Sequence, residues 1–146
     1  MFIREVRVQY RGPRLACTHP LLGPEDVVRF VRKAVHDHAR EHFLAIYLDA
    51  RHRGIAYQVV SIGTANQSLV HPREVFQPAV LTGSTALVLA HSHPSGDPSP
   101  SPEDREVTRR IAEAGNLLGI ALLDHVVFTA DGGSHSFARS SPELLR

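Results

Sequence analysis

Two short runs in this 146-residue chain, FLAIYLDA (43–50) and ALVLA (86–90), are apolar with almost no interruption. Runs of that length, bounded by turn-forming residues, mark strands covered on both faces. The second, bounded by Gly and Ser, is the expected centre of a sheet. IAYQVVSIG (55–63) follows an RHRG turn and supplies another strand, and a polar TANQS loop comes after it. IALLDHVVFT (120–129) is a further strand, with an ADGG turn and a hairpin return at SHSFA (134–138). Residues 3–10 alternate, with Val6, Val8 and Tyr10 on one face and Arg7 and Gln9 on the other. That period predicts a half-buried strand, with LACT (15–18) as its hairpin partner.

Between these runs the apolar spacing changes to that of helices. Gly23-Pro24-Glu25-Asp26 opens the first, with proline and acids in the turn where free N–H groups and the dipole favour them. Its apolar stripe is Val27, Phe30, Val31, Ala34, Val35 and His38, and its end is expected near Arg40 or Glu41. A second helix over 72–81 should bury Val75, Phe76, Ala79 and Val80. Ser101-Pro102-Glu103-Asp104 starts a third, with serine at the cap and an acid three positions on. Val107, Ile111, Ala114 and Leu118 mark its inner face, and Gly119 stops it. Strands and helices interleave without repeat or linker. The prediction is a single α/β domain over residues 1–146, with helices packed on a mixed central sheet.

Composition narrows the chemistry. Cys17 is the only cysteine, so no internal disulfide and no cysteine-built zinc site can form. It also removes the nucleobase deaminases, which need P-C-x-x-C. No run approaches the about 18 apolar residues of a membrane helix, and the first residues lack a signal-peptide core, so a cytoplasmic protein is expected. The formal charge of +1 gives no broad footprint for nucleic acid. The anomaly is ten histidines. Together with Asp and Glu, they can bind metal without cysteine.

One segment concentrates that chemistry: HSHPSGDPSPSPED (91–104). His91 and His93 leave the end of a buried strand two residues apart, so both rings point to one side and can chelate one ion. Asp104, in the first turn of the next helix, would point back toward them. Two imidazoles and one carboxylate leave a tetrahedral ion with an open position, the layout of a catalytic site. Asp104 also has a second reading, as the acidic half of a capping box with Ser101. An iron(II) facial triad uses the same ligand types, so spacing leaves the metal's identity open. His38-Ala39-Arg40-Glu41-His42 fits H-x-x-E-H, but that pattern needs a helix continuing past His42, where a strand is expected. His125, beside Asp124, is either a satisfied strand histidine or a support for the site. His19, His52, His71 and His135 read as loop or surface residues, and His36 and Asp37 as solvated helix positions.

The run HSHPSGDPSPSPED resembles the H-x-H-P…S-x-x-D signature of JAB/MPN (JAMM) metallopeptidase-like domains. EAGNLLGIALLDHVVFTADGGSHSFA, VHPREVF (70–76) and EHFLAIYLD (41–49) resemble specifically the RadC branch of that family. The likeness covers about residues 25–140. It implies an α-β-α layered fold similar to the cytidine deaminases. Carried over position by position, it implies one zinc ion held by His91, His93 and Asp104, oxyanion support from Ser101, and Glu41 as general base. The implied activity is zinc-dependent hydrolysis of a peptide or isopeptide bond in a protein or peptide substrate. RadC-type sequences usually have asparagine where this chain has Ser92. Longer RadC proteins also carry an N-terminal helix-hairpin-helix region, for which only about forty residues precede Glu41 here. The alternative reading is a metal-binding, nucleic-acid-associated module or nuclease, with Arg105, Arg109 and Arg110 lining a groove for phosphates.

Overall fold

A computed structural model of the chain describes residues 1–12, 14–17, 19–63 and 70–146. The continuous apolar run at 86–90 becomes strand β3 (Ala86–Ser92), buried at every position. It is the middle of a five-stranded sheet. On one side β3 pairs antiparallel with β1 (Glu41–Leu48), which pairs antiparallel in turn with the edge strand β2 (Gly54–Gly63). On the other side it runs parallel to β4 (Ala121–Phe128), and the short β5 (Ser134–Ser136) closes that edge antiparallel.

Strand alternation sorts the core into two layers. Phe43, Ala45 and Tyr47 of β1 and Leu87 and Leu89 of β3 face α2 (Pro72–Leu81) and α3 (Pro102–Leu118), meeting Val75, Phe76, Ala79, Val107 and Ile111. Leu44, Ile46, Leu48, Val88 and Ala90 face the other way, onto Val27, Phe30 and Val31 of α1 (Pro24–Ala34). The result is an α-β-α sandwich. The buried Tyr47 hydroxyl donates to the Val75 carbonyl at 2.7 Å, which anchors α2 to the sheet. Among the described residues, no helix is long and apolar enough to cross a membrane.

The parallel step from β3 to β4 needs a crossover, and α3 provides it. Its N-terminus therefore stands beside the C-terminal end of β3. The sequence signals at both ends of α3 hold. Ser101 and Asp104 form a reciprocal capping box, and Gly119 adopts the left-handed conformation at φ 73° that a C-terminal glycine allows.

Several boundaries differ from the sequence reading. α1 stops at Ala34, and Val35 is already extended at φ −113°, ψ 116°. The Asp37 carboxylate accepts from Ala39 N–H at 2.9 Å and Arg40 Nε at 2.6 Å. Such local bonds compete with the helical ladder and explain the early stop. β3 continues two residues past Ala90, carrying His91 and Ser92 into the sheet, while the return strand β5 gives way at Phe137 to a one-turn helix α4 (Phe137–Ser140).

Residues 3–10 form no strand, and Val6, Val8 and Tyr10 are exposed. Residues 15–17 form none either. The Ala16 carbonyl accepts instead from Lys33 Nζ at 2.9 Å, while Leu15 and Cys17 lean on the α1-side core. Alternation defines a face, but a strand also needs a neighbouring edge to pair with. Val80 and Leu118 are exposed because the inner faces of α2 and α3 run through Val75, Phe76 and Ala79 and through Val107, Ile111 and Gly115. Ala114 only packs partly buried against the core. The polar loop expected at 64–68 lies outside the described residues.

Candidate metal centre

The register of β1 against β3 builds the first half of the site. Phe43 pairs with His91, and Glu41 and His93 each lie one same-face step beyond that last pair. All three polar residues share parity with Phe43 and Leu89 and so lie on the α3 side of the sheet. The Glu41 carboxylate is hydrogen-bonded to His91 Nε2 across fifty residues of sequence. Glu41, His91 and His93 each place a ligand atom within 4.8 Å of the others, a group that could hold a metal ion.

The crossover helix brings the second half. Asp104, in the first turn of α3, sets Oδ1 at 3.2 Å from His91 Nδ1 and Oδ2 at 3.2 Å from His93 Nε2. The same Oδ2 accepts the Ser101 amide at 2.8 Å, and Asp104 N–H donates to Ser101 Oγ at 3.1 Å. The capping-box reading of Asp104 holds, and the same carboxylate lies beside both histidines. The His91 and His93 rings are 4.7 Å apart and nearly perpendicular. His93 Nδ1 faces the Asp97 carbonyl at 2.9 Å, which orients Nε2 toward Asp104. Ser92 points to the opposite side, where its Oγ accepts from His42 N–H at 2.8 Å and ties the end of β3 to the start of β1.

Burial and charge act against each other here. Burial opposes charging the His91 ring, but the Asp104 and Glu41 carboxylates outweigh it and hold its pKa above the ordinary value. His93 is raised chiefly by Asp104. Burial likewise opposes ionisation of Asp104, yet His91 and His93 prevail and keep its carboxyl far below the usual range. His91 and Asp104 are buried, whereas Glu41 and His93 retain side-chain exposures of 11% and 15% toward solvent. Imidazole and carboxylate groups gathered this closely could hold a metal ion.

Of the other histidines, His38 and His42 stand apart from this cluster, whereas the His125 ring stacks against His91 at 6.0 Å. His38 is off any helix, and His42 is in β1 with its Nδ1 facing the Arg40 carbonyl at 2.9 Å, so H-x-x-E-H does not form a helical pair. His125 lies beneath the site with no exposed surface, and burial pulls its pKa down to about 3. Its Nδ1 is 2.7 Å from Thr108 Oγ1. Thr108 was not visible as a site residue in sequence. Its one signal was the four-residue spacing that stacks it on Asp104 along the helix. On the outer face of α3 the Arg109 guanidinium is paired with Glu106 and Glu113, at 2.7 and 2.6 Å.

Every residue of the cluster falls within residues 21–142, which match a family model described as a RadC-like JAB domain. The chain belongs to that family. A UPF0758 protein of Geobacter sulfurreducens is 46% identical over 123 residues, covering 84% of this chain and 53% of that protein. One from Caldanaerobacter subterraneus is 48% identical over 124 residues, or 85% and 52% of the two chains. One from Bacillus cereus is 39% identical over 134 residues, or 92% and 56%. The chain spans about half the length of the curated relatives it matches. Within this RadC-like JAB domain, the residues that the motif singled out, Glu41, His91, His93, Ser101 and Asp104, converge at the C-terminal end of β3. That is where ligands of open α/β sheets commonly sit.

Proposed function

We propose that this domain is a zinc-dependent hydrolase that cleaves a peptide or isopeptide bond, with one ion held by His91, His93 and Asp104. The observation that carries the reading is the convergence of two imidazoles and two carboxylates, with Glu41 on the solvent side. When bound, zinc supplies Lewis acidity that polarises a carbonyl and makes water acidic near neutral pH.

The protein's own residues divide the remaining work. Glu41 is the more exposed of the cluster's two carboxylates and takes no part in the helix cap, and it takes the proton of the attacking water and passes it to the leaving amine. The Ser101 hydroxyl accepts the Asp104 amide, which leaves its own hydrogen to donate to the carbonyl oxygen as that atom gains charge. Asp97 and Asp104 orient His93, and the buried flank of His91 excludes water from the inner side. The nucleic-acid reading is less well supported, because Arg109 is already neutralised by two glutamates.

The test is metal analysis of purified variants, followed by hydrolysis of a fluorogenic peptide and a lysine-linked isopeptide. His91→Ala and His93→Ala should lose zinc, and His38→Ala should keep it. Glu41→Gln should keep zinc and lose about 10²–10⁴-fold in rate, the usual contribution of a positioned base. Loss of zinc from His38→Ala with full retention by His93→Ala would overturn the assignment.

A further inference from the structure

His125 is costly as placed. It is fully buried, and among the described residues its Nε2 has no hydrogen-bond partner. Its ring is stacked on Phe137 at 5.1 Å and 16°, and meets the edge of Phe43 at 5.5 Å. An apolar ring would fill this slot without leaving a buried nitrogen unsatisfied.

What distinguishes histidine here is its other nitrogen. Thr108 Oγ1 donates to the Asp104 carbonyl at 2.7 Å and lies 2.7 Å from His125 Nδ1. A hydroxyl has one hydrogen, so with that hydrogen on the carbonyl, His125 Nδ1–H donates to Thr108 Oγ1. The bonds run in series from β4 through the helix to the backbone of the residue whose carboxylate meets His91 and His93. The Thr108 hydroxyl does little for the helix itself, since such back-bonding to the preceding turn is slightly destabilising. Helix stability therefore accounts for neither residue.

We propose that His125 and Thr108 are positioning residues that brace the first turn of α3 against the sheet and so fix the Asp104 carboxylate between His91 and His93. The consequence for metal rests on the functional reading above, while the brace itself does not. A pair of this kind orients a ligand from outside the donor set, and losing it costs about 10–100-fold in metal affinity.

Two measurements separate the parts. In the metal-free chain, Thr108→Val should speed amide exchange at Asp104 and Arg105 without changing the C-terminal turns of α3. In calorimetric titration, Thr108→Val should bind zinc about 10–100-fold more weakly, and Thr108→Ser should restore it. If Thr108→Val folds poorly with the Nδ1–H unpaired, the double variant Thr108→Val/His125→Phe removes both polar partners and should fold while still binding weakly. Unchanged exchange at Asp104, or wild-type zinc affinity in the double variant, overturns the brace. Faster exchange in Thr108→Val together with no zinc bound by the unmodified chain upholds the brace and overturns the metal reading.

Discussion

A buried histidine that stays neutral leaves a mark on stability that has a definite sign. His125 has an ordinary pKa of 6.5 when exposed and is pulled down to about 3 by burial in the fold. Above 6.5 both folded and unfolded chains are neutral at this position. As pH falls from there toward 3, only the unfolded chain takes up the proton, so folding loses stability. His125→Phe removes that term. Urea unfolding across pH should show the wild type losing about 2 kcal/mol relative to the variant between pH 6.5 and 4.5. Parallel pH profiles would show that His125 is not held neutral. At this scale the sequence was informative where spacing alone fixes direction. His91 and His93 share a face because strand period is two, and Ser101 and Asp104 meet because they span one helical turn. Thr108 carries no such local signal of its partner, because His125 lies seventeen residues away on another element.

Elements were legible in type and less so in extent. The capping box and Gly119 bound α3 as their residues predicted, because caps act through bonds within a few residues. α1 ended early because Asp37 offered its neighbours a local alternative that an apolar stripe does not record. Gly115 sets two general effects against each other. In an exposed helix, alanine in place of glycine gains about 0.5–1 kcal/mol. Here an added Cβ would lie 2.3 Å from the Ile120 carbonyl oxygen and 3.3 Å from the Phe76 ring. The backbone cannot give way without breaking the Ile120 N–H bond to the Gly115 carbonyl at 2.9 Å. Overpacking wins, and Gly115→Ala should destabilise the domain by about 1–3 kcal/mol in chemical denaturation. An unchanged or higher midpoint would show that the α3–β4 turn is softer than its geometry implies.

Across the whole molecule, the candidate site residues come from β1, the C-terminal end of β3 and α3, which only the folded chain brings together. An ion held there binds the native state and not the unfolded one. Zinc at a hundredfold excess over its dissociation constant should add about 2.7 kcal/mol, a rise in melting temperature of roughly 5–10 °C, reversed by a chelator. No shift with zinc, in a chain that otherwise melts cooperatively, would remove the ion from the fold. Residues 3–10 mark the limit of pattern reading at this scale. Their alternation is genuine, but no strand forms there, because pairing needs an edge that sequence does not reveal. By itself the sequence determined the α/β class and the family, since these follow from periodicity and short motifs. Only the tertiary structure decided that Glu41 meets His91, through the register of two antiparallel strands fifty residues apart, and that α3 delivers Asp104 to both histidines. Local spacing fixes which way a side chain faces, whereas strand register and helix crossover fix which side chains it meets.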